Sequence, residues 1–142
     1  MQRKETWVTD LYAFVRSRKD TPYEWGTNDC CSFPCDAILA MTGTDVYEEF
    51  RGKYVTEAEA GAVLQEVVGS TDKVDAIEYI TKKFEMKEIP VPFAQRGDVV
   101  LLNVDEGFAL GIVHLDGVNV AAVAGEGLHR VPIKFATRAW KV

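Results

Sequence analysis

Three cysteines and two histidines in 142 residues are too few for several functional classes. A small, odd cysteine count does not build a disulfide framework. It points instead to a chain kept reduced, or to a thiol with a chemical task. No Cys-x-x-Cys pair occurs. Cys31 and Cys35 share one helix face at i, i+4, but the histidines stand far away in the chain, so no metal is expected. No glycine-rich phosphate loop is present either: Gly125-Glu126-Gly127 lacks a strand-to-helix context and reads as a tight turn, so no cofactor is expected. Basic residues are in the minority, with 16 Lys+Arg against 22 Asp+Glu and a net charge of −6. That balance argues against a nucleic-acid partner and against docking by charge on anionic lipid or wall polymers. No apolar run approaches the length of a membrane span, so no membrane insertion is expected. The basic start, Met1-Gln2-Arg3-Lys4, is not followed by the apolar stretch of an export signal, and synthesis in the cytoplasm without a signal peptide is the expectation. Repeats, linkers and low-complexity segments are also missing.

What is present fits one packed domain over residues 1–142, with 47% hydrophobic and 11% aromatic residues. Trp7, Leu11, Phe14 and Val15 repeat at helical spacing and predict a helix over about 6–18. Residues 21–28 are rich in Pro, Gly and Asn and read as a loop. A second helix is expected from Asn28 or Asp29 to Thr42, with Gly43 ending it. Thr56-Glu57-Ala58-Glu59 is a capping box opening a third helix that stops at Gly69. A fourth turns Val74, Ile77, Ile80 and Phe84 inward. From residue 97 the period changes to two, with strands expected over 98–104, 108–115, 118–124, 128–133 and 135–142. Asp116-Gly117 signals a two-residue hairpin. Helices followed by an antiparallel meander make an α+β domain with the helices packed on the sheet.

The segment Tyr23-Glu24-Trp25-Gly26-Thr27-Asn28-Asp29-Cys30-Cys31-Ser32-Phe33 carries the chemistry. It sets a cysteine at the first turn of a helix, where free amide donors and the helix dipole favour a thiolate. Asp29 opposes this through like charge unless its carboxylate caps the helix. The other reading makes Cys30 and Cys31 small hydrophobes under the helix start. Trp25 either lines a cleft beside Cys30 or anchors the loop to the core. Pro34 is costly in a regular helix begun at Asn28, so the helix starts later or its first turn is distorted. Acid pairs such as Glu48-Glu49 and Asp105-Glu106 read as solvated turns.

Thr21-Pro22-Tyr23-x-Trp25-Gly26 followed by Asp29-Cys30-x-Ser32-Phe33 resembles the nucleophile motif of the NlpC-type cell-wall peptidases, papain-like cysteine enzymes. Arg96-Gly97-Asp98-Val99 resembles that family's Pro-Gly-Asp-Leu strand, and Ala109-Leu110-Gly111-Ile112-Val113 its His-Val-Gly-Ile-Tyr strand. The closing Ala139-Trp140 is similar to the compact phage-encoded branch. The resemblance implies a papain-like fold with Cys30 at the nucleophile position, Tyr23 close to it and Cys31 at the family's Ser. It also implies a peptidoglycan peptide as the family's substrate. For the phage branch it implies other virion and tail proteins as partners, with the chain residing in the virion.

The departures matter for activity. Ala109 stands where the family has its general-base His, and Ala121 where the orienting polar residue falls. Losing general acid–base help costs about 10²–10⁴-fold in rate. His114 lies an odd number of residues past Ala109 and is expected to point away from Cys30. His129 opens a later strand and is the one candidate substitute base. Both histidines read more simply as structural or solvated. The expectation is a catalytically degenerate, tail-associated NlpC-like module; the alternative is an active cysteine peptidase or amidase using Cys30.

Overall fold

The computed structural model describes residues 1–103 and 110–142. Ala109 and the Asp105-Glu106 pair therefore lie outside the described residues. Four helices come first: α1 (Trp7–Ser17), α2 (Ser32–Thr42), α3 (Glu57–Val68) and α4 (Lys73–Lys83). Six strands follow: β1 (Glu88–Ile89), β2 (Val99–Leu102), β3 (Leu110–Val113), β4 (Asn119–Ala124), β5 (Gly127–Pro132) and β6 (Ala136–Trp140). They form a single sheet in the order β1-β6-β2-β3-β4-β5 with every pairing antiparallel. This is the α+β architecture the sequence predicts.

The central helix is α2. Ser32, Phe33, Pro34, Cys35, Asp36, Ala37, Ile38 and Met41 are all buried. A helix enclosed on nearly every side shows little amphipathic pattern, because solvent reaches it only in part at Leu39, Ala40 and Thr42. It ends at Gly43, whose φ of 77° is the left-handed conformation a helix terminus needs and a side chain resists. Thr56 caps α3 by accepting from the Glu59 amide at 3.1 Å, as the capping box predicts. Asp72 caps α4 through the Val74 amide at 2.8 Å.

Period-two alternation divides the sheet into two faces. Leu110 and Ile112 join Leu11, Ile38, Ile77 and Trp140 in the main core beneath the helices. Ala121 and Val123 pack on Phe33 in an adjoining patch. On the other face Val100, Val113, Val120, Ala122, Val131 and Ala139 form a separate cluster, backed by Ile89, Val91 and Ala94. The short β1 is absent from the sequence-based expectation, since two residues are too few to display a period. It exists because Glu88 and Ile89 pair with Trp140 and Ala139 of β6. That pairing also turns the closing Ala-Trp motif into an inner strand of the sheet.

Two local expectations are corrected. The β3–β4 connection is a four-residue loop, 115–118, closed by the His114 amide donating to Asn119 O at 2.8 Å, and not a two-residue hairpin. Its register, Val113 opposite Val120, is the one a tight Asp-Gly turn would give. Pairing opens one step early because Asp116 takes the Val118 and Asn119 amides and the Asn119 side chain for itself. The second correction is that α2 begins at Ser32, not at Asn28 or Asp29. Pro34 is then the third helical residue, within the first turn, where its missing donor breaks no bond inside the helix.

Arg96-Gly97-Asp98 joins the two ends of the chain. The fully buried Asp98 carboxylate accepts from Arg3 at 2.9 Å, the Gln95 amide at 2.9 Å, Lys141 at 3.3 Å and the Val142 amide at 3.1 Å.

Candidate active site

The loop before α2 is organised by backbone closure and one carboxylate. Glu24 and Asn28 exchange amide-to-carbonyl hydrogen bonds at 3.0 and 2.8 Å, making a tight return over the three residues between them. Gly26 sits at its tip with φ of 88°, and a Cβ there would overlap the Tyr54 carbonyl oxygen. Asn28 holds the approach by donating to the Thr21 and Pro22 carbonyls at 3.3 and 3.0 Å.

Asp29 then does four things at once. Its Oδ1 accepts from the Cys31 and Ser32 amides at 3.0 and 2.8 Å. Its Oδ2 accepts from the Gly26 amide at 2.9 Å and from the Tyr54 hydroxyl at 2.5 Å. Ser32 Oγ accepts from the Asp29 amide in return, and the Asp29 carbonyl receives the Phe33 amide in a helical bond. Asp29 is thus the functional cap of α2 although the regular helix starts three residues later. Cys30 follows directly at the helix mouth.

Cys30 is 4% exposed and Cys35 is buried, while Cys31 is half-buried. Cys30 belongs to none of the apolar clusters. It borders a cavity of about 50 Å³ together with Trp25, Asp29, Cys31, Lys73 and Leu110. Trp25 therefore lines the cleft and also packs on the main core, so both of its expected roles hold. Its ring meets Tyr23 edge-on at 5.3 Å. Cys30 Sγ lies 4.0 Å from Cys31 Sγ.

Electrostatics favour charge on the Cys30 sulfur. A hydrogen bond with the Cys31 thiol is the largest influence and lowers the Cys30 pKa; burial opposes it. The Lys73 ammonium lowers it further, the Asp29 charge raises it, and the result is about 7. The helix amides contribute less than the sequence suggests, because those of Cys31 and Ser32 are already taken by Asp29. The Cys31 thiol is pushed well up, first by its bond with Cys30 and then by burial. Tyr23 is raised by burial and then by the charge on Cys30. Lys73 lies above its ordinary value: burial works against its charge, and the neighbouring Cys30 and Cys31 sulfurs more than offset this.

The structure places Tyr23 near enough to Cys30 for the charge on that sulfur to act on its hydroxyl. It does not bring the histidines there among the described residues. His114 and His129 border a different cavity, of about 640 Å³, with Leu11, Ile112 and Leu128. His114 lies on the helix side of the sheet with Leu110 and Ile112, not on the opposite side as expected. Its distance along the strand is what removes it: four residues beyond Leu110 is about 13 Å. Burial, then the neighbouring Arg130 charge, lowers its pKa, and Arg130 Nη2 lies 3.3 Å from its Nε2. His129 on β5 pairs with Ala122, whose side chain belongs to the far face of the sheet. Ala121 is buried against Phe33. Among the described residues, no group of three or more His, Cys, Asp or Glu side chains is placed to hold a metal ion.

Lys73, Tyr54 and Tyr47 are site residues that sequence reasoning missed. Tyr47 and Tyr54 share a hydroxyl–hydroxyl bond of 2.6 Å that continues to Asp29. Lys73 is the first residue of a helix far down the chain, and a lysine there reads as solvated until α4 is folded against α2.

Comparison with known proteins follows this geometry. No match was found among curated proteins. Among solved structures, the crystal structure of the NlpC/p60 domain of peptidoglycan hydrolase SagA superposes with a TM-score of 0.58 at 18% identity. It covers 94% of this chain and 97% of that one, so the chain has an NlpC-like fold. Residues 2–142 match the family described as "Domain of unknown function (DUF6950)", and the chain belongs to that family.

Proposed function

We propose that this chain is an NlpC-like module that retains the nucleophile position of a cysteine hydrolase but has lost its acid–base partner, and that it serves chiefly as a structural and interaction component of a phage tail. The carrying observation is the composition of the Cys30 neighbourhood. Among the described residues, the polar groups at the sulfur are Cys31, Tyr23, Lys73 and Asp29. Cys31, Tyr23 and Lys73 all hold their protons near neutral pH, and Asp29 already accepts four hydrogen bonds. None of these is suited to shuttle a proton to a leaving amine, which is what amide cleavage needs. The cavity beside the sulfur, of about 50 Å³, has room for a water or two. The tail association draws its support from the resemblance of Trp25-Gly26, Asp29-Cys30 and Ala139-Trp140 to the phage-encoded branch. The partners would then be other tail proteins.

The second reading is an active cysteine peptidase or amidase acting on peptidoglycan peptides; SagA, whose NlpC/p60 domain shares the fold, is a peptidoglycan hydrolase. The lowered Cys30 thiol favours it, since a thiolate is the attacking species. One experiment separates the two: digestion of wall fragments and synthetic stem peptides by the natural protein and by Cys30→Ala. Equal inertness of both, with the protein retained in assembled particles, is the expected result. Cleavage that disappears in Cys30→Ala establishes the enzyme instead.

A further inference from the structure

We infer that Lys73 is the positioning residue for the Cys30 sulfur: its ammonium, brought from the first turn of α4 to the cavity at the mouth of α2, holds that sulfur as a thiolate where the family relies on an imidazole. This rests on Cys30 being the nucleophile position.

Around the sulfur, from the loop, come Tyr23 and Asp29; from α2 and the residue before it, Cys35 and Cys31; from the segment between α2 and α3, Tyr47 and Tyr54; from α4, Lys73; from β3, only the apolar Leu110. Among the described residues bordering this cavity, Lys73 is the one cation. Each of the others is neutral or, in the case of Asp29, negative and opposed to a thiolate. Cys31 shares a hydrogen bond with Cys30 at 4.0 Å, the largest single influence on that sulfur, but brings no net charge. Asp29 itself occupies the amides through which a helix N-terminus would otherwise stabilise an anion. A buried sulfur with one carboxylate beside it needs a compensating positive charge to ionise at neutral pH.

Lys73 is held for this task. Asp72 caps α4 and sets the direction of its first turn. Ala76, Ile77 and Ile80 bury the same helix against the core and border the same cavity. The half-buried lysine borders the same cavity as the sulfur, so that its charge acts on Cys30 across it. Because the ammonium keeps its proton, it supports the charge on Cys30 without acting as a base. Such a site attacks electrophiles whose leaving group needs no proton and is slow on amides.

The test is the pH profile of Cys30 alkylation by iodoacetamide in the full chain, read by fragment mass spectrometry that separates Cys30 from Cys31. The natural protein should be half-reactive at about pH 7. Lys73→Met should move that point up by about a unit or more, and Lys73→Arg should largely keep it in place. An unmoved profile in folded Lys73→Met overturns the inference, as does an equal shift in both variants. Should Lys73→Met fail to fold, the ¹⁵N signal of the Lys73 ammonium in the unaltered protein decides. It should step at the pH where Cys30 titrates and lose that step in Cys30→Ser; a flat signal through that pH overturns the pairing. The wall-digestion assay reads independently of this. An inert protein with a shifted profile keeps the pairing, and an active one with an unshifted profile removes the pairing alone.

Discussion

The Tyr54 hydroxyl donates to Asp29 Oδ2 at 2.5 Å, tying the segment that leads into α3 to the turn that carries Cys30. Tyr54 is buried, and its oxygen also meets Tyr47 at 2.6 Å. A buried bond to a carboxylate is worth roughly 1.5–3 kcal/mol. Tyr54→Phe removes it without opening a cavity and should cost about that much in urea denaturation. Loss of less than about 0.5 kcal/mol would mean the carboxylate is satisfied without Tyr54.

Gly26 should tolerate nothing larger. Its φ of 88° is left-handed, and a Cβ would run into backbone, the Tyr54 carbonyl, which no rotamer change relieves. Gly52, with φ of 73° and open space around it, is the control for the conformational cost alone. Gly52→Ala should lose about 1–2 kcal/mol. Gly26→Ala should lose at least about 3 kcal/mol, since overlap adds to strain. Comparable thermal midpoints for the two variants would contradict the close approach of Tyr54.

Arg3 joins three distant parts of the chain. It donates to Asp98 at 2.9 Å, to the Arg96 carbonyl at 2.8 Å and to the Val142 carbonyl at 3.0 Å, and it lies over the Trp7 ring at 4.2 Å. Asp98 is fully buried, so removing the guanidinium leaves a carboxylate with only part of its compensation. Arg3→Met should cost about 3 kcal/mol, the lower end for a broken buried pair because Lys141 and two amides remain. Denaturation at low and high salt should give nearly the same loss, which a surface pair would not.

His114 should make the fold acid-sensitive. Burial, and then Arg130, lowers its pKa in the folded chain. A base with a depressed folded value binds fewer protons folded than unfolded. Its stabilising contribution is therefore present above about pH 6.5 and is lost as the pH falls below that, towards the lowered folded value. His114→Gln cannot titrate. The drop in melting temperature between pH 7 and pH 5 should be larger in the natural protein than in this variant; equal drops would refute the assignment.

Local chemistry made much of this molecule legible before any tertiary contact was known. Thr56 and Glu59, Gly43 and Gly69, and the run of alternating apolar residues after Gly97 each mark their element through interactions within a few residues. The motif around Cys30 is equally local: the capping by Asp29, the glycine at the turn and the proximity of Tyr23 all lie within about ten positions. Such features are written in residue order because the hydrogen bonds that enforce them are short-range.

Other features arise only when distant segments meet. The two-residue β1 has no period to read and forms because β6 offers it an edge. The start of α2 shifts to Ser32 because Asp29 spends its carboxylate on four donors, one of them the Tyr54 hydroxyl 25 residues away. His114 keeps the side of the sheet nearer the helices yet is separated from Cys30 by the length of a strand.

Composition, period and capping thus determined which segments are helix and which are strand, and they marked Cys30 as the residue to watch. Tertiary structure alone decided the company that sulfur keeps. The burial of α4 in the core that also holds α2 brings Lys73 across more than forty residues of chain, and a through-space charge effect of that kind leaves no trace in the order of residues.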